Sequence, residues 1–471
     1  MDIEAYLKEH ENKDMLRFLT CGSVDDGKST LIGRMLFDSK MVFEDQLAAA
    51  ESESKKYGTT GETIDMALLV DGLQSEREQG ITIDVAYRFF TTENRKFIIA
   101  DTPGHEQYTR NMVTGASTAD VAIILIDARK NILTQTRRHS FIVSLLGIEH
   151  VVVAINKMDL VGFSEEVYNE ISHAYGVLAE ELGIKNTYYI PVSALNGDNV
   201  VNKSEHTSWF KGEPLLSLLS SMDVSKEEKA DNFRFPVQYV NRPNPDFRGF
   251  CGTVVAGSVK EGDEITVLPT GKRTKIKSII NVKDITEANR NITTQEASTS
   301  MAITITTEDE VDISRGDMIV HTNSLPVVSN NIEVMLVWMD ERPMNRQRSY
   351  DIKRATSVVS GKFTSISYKV DVNTYEKTQV TELGLNDIAA CTMGLTRSIA
   401  LDEYKNNRLT GSFIVVDRIS NNTVGAGMIV SSHAEQQAST IINSNKEYTK
   451  AEVALNAYIR NNFPEWDCKK I

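Results

Sequence analysis

Gly22-Ser23-Val24-Asp25-Asp26-Gly27-Lys28-Ser29 is the stretch on which the reading of this chain turns. Two glycines separated by four residues, the second followed by Lys-Ser, fit a phosphate-binding loop. Such a loop cradles phosphates with backbone N–H groups that must approach the anion closely, and Gly22 and Gly27 permit that approach. Lys28 would stand between the β- and γ-phosphates as a fixed positive charge. Ser29 opens the next helix, so its hydroxyl can ligate Mg²⁺ while the helix start, with Thr30, faces the anion. Ser23, Val24, Asp25 and Asp26 complete the expected nucleotide-contacting loop. An apolar strand-like run at 17–20 precedes it and a helical apolar pattern from Leu31 follows, which separates this loop from a plain glycine turn. Thr270-Gly271-Lys272 and Ser360-Gly361-Lys362 lack both the first glycine and a Ser or Thr after the lysine, and read as hairpin turns.

Working outward, three more motifs follow in order: Asp101-Thr102-Pro103-Gly104, Asn156-Lys157-Met158-Asp159 and Ser193-Ala194-Leu195. Asp101 ends an apolar run, where its carboxylate can hold a Mg²⁺-bound water. Gly104 can offer its N–H to a γ-phosphate, making the segment sensitive to GTP against GDP. Asp159 can accept from guanine N1–H and the N2 amino group. Adenine offers neither donor there, and a site that leaves a buried charge unpaired rejects the wrong ligand by roughly 10⁴–10⁵. Lys157 would lay its stem along the base, Asn156 would tie the loops together, and Ser193, Ala194 and Leu195 would bring a backbone N–H toward guanine O6. Together these motifs imply a chain that binds GTP and GDP and hydrolyses GTP.

The 471 residues exceed what one core organises and suggest about three domains. Apolar runs at 17–20, 97–100, 121–126, 151–155 and 188–192 alternate with helical stretches, predicting a doubly wound α/β domain over 14–222 with its ligand at the carboxyl ends of the strands. Short β-branched segments split by Gly-Asp and Thr-Gly turns predict a β-barrel over 231–325, and a second strand-rich block predicts another over 331–434. Residues 440–471 carry Tyr448, Ala451, Leu455, Tyr458 and Ile459 at helical spacing and read as a helical tail. A net charge of −14 argues against non-specific nucleic-acid binding. The apolar runs fall far short of the ~18 residues a membrane span needs. Four scattered cysteines without pairing or metal-ligand spacing, and an N-terminus without a signal-peptide core, predict a reduced cytoplasmic protein.

Glu76-Arg77-Glu78-Gln79-Gly80-Ile81-Thr82-Ile83-Asp84 and Asp101-Thr102-Pro103-Gly104-His105 resemble the switch segments of translational GTPases of the elongation factor Tu and elongation factor 1-alpha group. The resemblance implies a P-loop GTPase domain followed by two β-barrels. It also implies that Thr82 joins Ser29 and Asp101 around Mg²⁺, and that His105 positions the attacking water past an apolar gate of Val24 and Ile81. GTP hydrolysis asks mostly for positioning and charge stabilisation, which a histidine can supply. No activating arginine is legible, so slow intrinsic turnover and activation by a partner are expected.

Within that group the chain resembles the GTPase subunits of bacterial two-subunit sulfate adenylyltransferases. The likeness rests on 17–34, 71–87, 99–117 with His105-Glu106-Gln107-Tyr108-Thr109-Arg110-Asn111-Met112, 233–252 with Val240-Asn241-Arg242-Pro243-Asn244, and the ending Asn462-Phe463-Pro464-Glu465-Trp466. It implies a separate catalytic ATP-sulfurylase subunit, in a heterodimer or larger assembly, that forms adenosine 5′-phosphosulfate and pyrophosphate from ATP and sulfate. GTP hydrolysis here would be coupled to that unfavourable reaction. The kinase fused to some relatives is expected to be absent, since only one phosphate loop is present. The alternative is a translation factor carrying aminoacyl-tRNA, which shares every nucleotide motif. Arg242-Pro243-Asn244-Pro245-Asp246-Phe247-Arg248-Gly249 stands against it, occupying the place of a shorter segment in such carriers, and reads as a barrel loop.

Overall fold

A computed structural model describes residues 13–40, 47, 54, 65–70, 76, 82–224, 232–281, 292–432 and 456–458. Strands β1 (Asp14–Gly22), β2 (Ala86–Thr91), β3 (Arg95–Asp101), β4 (Val121–Asp127), β5 (His150–Asn156) and β6 (Asn186–Pro191) form one sheet in the order β2-β3-β1-β4-β5-β6. All pairs are parallel except the edge pair β2–β3. Every residue of β4 is buried, because helices cover both faces of a parallel sheet and no polar alternation survives. Helices α1 (Lys28–Asp38), α2 (Thr109–Ala116), α3 (Thr134–Leu145), α4 (Glu165–Glu181) and α5 (Leu215–Ser221) supply that cover. Leu31, Ile32 and Met35 of α1 join Leu215 and Leu219 of α5 on one face. Met112, Val143, Ile171 and Tyr175 from α2, α3 and α4 pack on the other. Helix α4 starts where Ser164 caps the Val167 N–H at 3.3 Å, with Glu165 and Glu166 facing the positive end of the helix dipole.

Strands β7 (Arg234–Asn244), β8 (Phe247–Thr253), β9 (Ser258–Lys260), β10 (Glu264–Leu268), β11 (Lys272–Asn281), β12 (Ile292–Thr294), β13 (Glu296–Ser298), β14 (Ala302–Thr307) and β15 (Met318–His321) build the second domain. The order β10-β15-β7-β8-β14-β11 closes through a β10–β11 pairing into a barrel. A third domain holds β16 (Val327–Trp338), β17 (Tyr350–Arg354), β18 (Ser357–Val370), β19 (Lys377–Thr378), β20 (Ile388–Leu401), β21 (Ser412–Asp417) and β22 (Thr423–Ser432). It closes in the same way, by pairing β17 with β18. The chain therefore has the expected architecture of an α/β GTPase-type domain and two β-barrels.

One local expectation needs correction. Ser360-Gly361-Lys362 is no turn but lies inside β18. The neighbouring hairpin instead turns at Ala355 and Thr356, and Gly361 answers to packing: a Cβ there would come within 2.9 Å of Leu395 Cδ2 and 3.1 Å of Ile352 Cγ1. Residues 242–248, read as a barrel loop, are the outer end of the β7–β8 hairpin and its turn, with the strands extending to Asn244 and from Phe247. The 440–471 tail lies outside the described residues except for Asn456–Tyr458, which are helical.

The three domains touch through specific groups. Arg234 on β7 forms a buried ion pair with Asp402, its Nε 3.0 Å from Oδ2 and its Nη2 3.0 Å from Oδ1, joining the two barrels. The third barrel grips the end of α3: Tyr404 donates to the Leu146 carbonyl at 3.2 Å, and Tyr375 stacks on Phe141 at 5.6 Å. Among the described residues no helix is long and apolar enough to cross a membrane.

Candidate functional site

The carboxyl ends of β1, β3, β4 and β5 deliver Gly22, Asp101, Asp127 and Asn156 to one edge of the sheet. There the loops enclose a cleft of about 420 Å³, within the range of small-ligand sites. Val24, Asp25, Gly27, Lys28, Ser29 and Thr30 line it from the first motif, and Thr82, Gly104 and His105 from the switch segments. Asn156, Lys157, Asp159, Ala194 and Leu195 line it from the last two motifs. Gly22, Ser23, Asp26, Asp101 and Ser193 stand immediately behind these lining groups, holding them. Ile81 lies outside the described residues.

The phosphate loop is tightly constrained. Gly27 adopts φ +90°, and a Cβ on it would fall 2.6 Å from Asn156 Nδ2, so only glycine fits. Lys28 is buried and its Nζ donates to the Ser23 carbonyl at 2.9 Å and the Gly22 carbonyl at 3.3 Å. Burial pushes the Lys28 pKa down, with the Asp101 and Asp26 charges opposing. Gly104 comes so close that a Cβ there would lie 2.7 Å from Lys28 Nζ.

Three oxygens converge beside the lysine. Ser29 Oγ donates to Asp101 Oδ2 at 2.8 Å and lies 3.3 Å from Thr82 Oγ1. Thr20 Oγ1 donates to the other Asp101 oxygen at 3.1 Å, fixing the carboxylate. Burial raises the Asp101 pKa, opposed by the Ser29 hydrogen bond and the Lys28 charge. Two hydroxyls and a carboxylate are the hard oxygen donors that Mg²⁺ prefers, so the residues present fit that ion. His105 lies on the cleft wall, its ring edge-on to Tyr108 at 6.3 Å.

At the other set of loops, Asn156 donates from Nδ2 to the Asp26 carbonyl at 2.7 Å and accepts the Ala194 N–H at 2.9 Å. One amide thus ties the phosphate loop to the Ser193-Ala194 loop, and it engages the Ala194 N–H, one of the donors of the segment expected to offer a backbone N–H to guanine O6. Ser193 Oγ donates to Asp159 Oδ1 at 2.7 Å, orienting the carboxylate. Lys157 has φ 62° and donates to the Asp25 carbonyl, while its Nζ lies 3.2 Å from Asp127 Oδ2.

Sequence reasoning missed several of the groups that position these residues. Asp127 is buried and held by Arg129 at 3.0 and 2.7 Å, and it anchors Lys157. Burial opposes its ionisation, but the Arg129 hydrogen bonds outweigh that and hold its pKa well below the ordinary range. It ends an apolar run just as Asp101 does, and that signal could have found it. Glu76, also buried, accepts the Ile83 N–H at 3.0 Å and the Asp84 N–H at 3.3 Å, bracing the segment that carries Thr82. Asn111 on α2 donates to the Ile83 carbonyl at 2.7 Å.

Residues 13–227 match the family model described as elongation factor Tu GTP binding domain. Residues 331–430 match the model described as GTP-eEF1A C-terminal domain-like. A protein from Sulfurovum sp. named sulfate adenylyltransferase subunit 1 is 76% identical over 471 residues, covering 100% of this chain and 98% of that relative. Relatives of the same name from Pseudoalteromonas atlantica and Aliarcobacter butzleri are each 57% identical, covering 100% of this chain and 97% and 98% of their own.

Proposed function

The chain belongs to the sulfate adenylyltransferase subunit 1 family, and from that premise we propose that it is a GTP-hydrolysing subunit coupled to a separate catalytic subunit. That partner transfers AMP from ATP to sulfate, giving adenosine 5′-phosphosulfate and pyrophosphate. The observation that carries the reading is one cleft lined by both Lys28 and Ser29, which suit a polyphosphate, and Asn156 and Asp159, which suit guanine. The phosphoric–sulfuric anhydride is high in energy, so adenylyl transfer needs an exergonic partner reaction, and GTP hydrolysis supplies one.

Backbone N–H groups of the loop and the Lys28 ammonium hold the β- and γ-phosphates. Ser29, Thr82 and Asp101 would hold Mg²⁺, which neutralises charge on the phosphate oxygens. Asp159, oriented by Ser193, accepts from the guanine edge while Lys157 braces the base. His105 orients the attacking water, with Val24 and Ile81 as its apolar gate. His105→Ala is expected to slow hydrolysis at least tenfold and leave GTP affinity within twofold; full-speed turnover by single-turnover assay would remove His105 from the mechanism.

The deciding experiment measures GTP hydrolysis by the purified chain alone, and then with a sulfate-adenylylating catalytic subunit, ATP and sulfate. Stimulation that needs all three, matched by adenosine 5′-phosphosulfate formation, is the expected result. Stimulation by ribosomes and aminoacyl-tRNA alone would overturn the proposal.

A further inference from the structure

The phosphate loop carries two carboxylates in a place built to receive polyanions. Asp25 is exposed, whereas Asp26 is 1% exposed and folded back beneath the loop. Its Oδ2 accepts the Ser23 N–H at 2.6 Å, and its own N–H donates to the Ser23 carbonyl at 3.3 Å. The Asn156 amide pins its carbonyl from the other side at 2.7 Å. The carboxylate lies directly under the first loop residue: a Cβ on Gly22 would meet Oδ2 at 3.1 Å. Its second oxygen, Oδ1, is buried with no hydrogen-bond partner among the described residues. Lys28 gives that oxygen no hydrogen bond, because the ammonium is aimed at the Gly22 and Ser23 carbonyls; burial pushes the Asp26 pKa up, and the nearby Lys28 charge offsets that only in part.

A buried carboxylate with one idle oxygen is costly to the fold, and next to bound phosphates it is repulsive with little solvent screening. We propose that Asp26 is an affinity-setting residue, positioning the loop through the Ser23 N–H while its charge opposes the bound polyphosphate and keeps GTP and GDP loosely held. This rests on the nucleotide reading above and adds to it, since the loop backbone attracts phosphate while this side chain works against it. The repulsion must scale with phosphate charge, which a merely structural role would not do.

Asp26→Asn keeps the shape and an acceptor for the Ser23 N–H but removes the charge. Titration calorimetry on the full chain with GTP, GDP and GMP, together with nucleotide release kinetics, tests the idea. The variant is expected to bind GTP about tenfold more tightly, or ~1.4 kcal/mol, GDP by a smaller factor and GMP scarcely more tightly, with slower GDP release. A folded variant that binds GTP no better, or gains equally for GMP, overturns the inference. Should Asp26→Asn fail to give a cooperative melt, Asp26→Ser, a smaller neutral acceptor, is judged by the same criterion. A wild-type chain that binds no GTP overturns the functional reading itself, so the two failures are distinguishable.

Discussion

At the scale of single residues, the cleft separates base recognition from phosphate charge, and each makes its own prediction. In the proposed reading Asp159 meets guanine as an acceptor; Asp159→Asn turns one oxygen into a donor. GTP affinity is expected to fall by at least tenfold while xanthosine triphosphate affinity rises, read by competition binding, and an unchanged preference for GTP would remove Asp159 from base recognition. Lys28 makes the charge prediction. Its pKa is lowered by burial in the free protein, and bound phosphate favours its protonated form. GTP affinity should therefore be complete below the lowered pKa and fall as pH rises through it, earlier than an ordinary lysine would discharge. Dissociation constants measured from neutral to alkaline pH check this; a flat profile through the ordinary lysine range contradicts it.

At the scale of elements, helix α1 connects the loop to its surroundings. Gly33 sits in mid-helix, where alanine would ordinarily be favoured by about 1 kcal/mol. Here a Cβ would fall 2.0 Å from the Met66 carbonyl oxygen, in the 3₁₀ turn Met66–Leu69. Asp65 and Ala67 at that turn line the cleft. Gly33→Ala is thus expected to destabilise the protein by about 1–3 kcal/mol and weaken GTP binding; a stabilised variant in denaturant unfolding would show that the turn yields freely. Such packing is invisible in a sequence. What was legible were elements whose burial is uniform, such as β4 and β5, and motifs whose spacing is set by backbone geometry, such as Gly22 to Ser29. Gly361 was misread because a glycine needed for close approach inside a strand looks like one needed for a turn. Asp127 is marked by the end of an apolar run and Glu76 by the switch segment that it opens, but their tasks stay hidden because the contacts to Lys157 and to the backbone at Ile83 are made only once the chain has folded.

For the whole molecule, the Arg234–Asp402 pair joins the two barrels and is reinforced by Thr410, whose hydroxyl donates to Asp402 at 2.6 Å. Removing one partner leaves the other charge buried, which costs about 3–5 kcal/mol. Asp402→Ala should therefore lower the denaturant midpoint of the barrels by that equivalent, and a loss below about 1 kcal/mol would show that Arg234 finds water or another acceptor. The third barrel in turn holds α3 through Tyr404, which donates to the Leu146 carbonyl, and Tyr375, which donates to the Arg137 carbonyl. One further consequence concerns biosynthesis. Asn156 bonds both Asp26 and Ala194, so the binding cleft is assembled from stations spread over nearly the whole first domain. A nascent chain on the ribosome has made its phosphate loop long before it owns a place to seat a nucleotide, and capture of GTP must await release of the segment around Ala194. A product ending before Ala194 lacks one wall of the cleft and is expected to retain GTP poorly, which filter binding on such fragments would check.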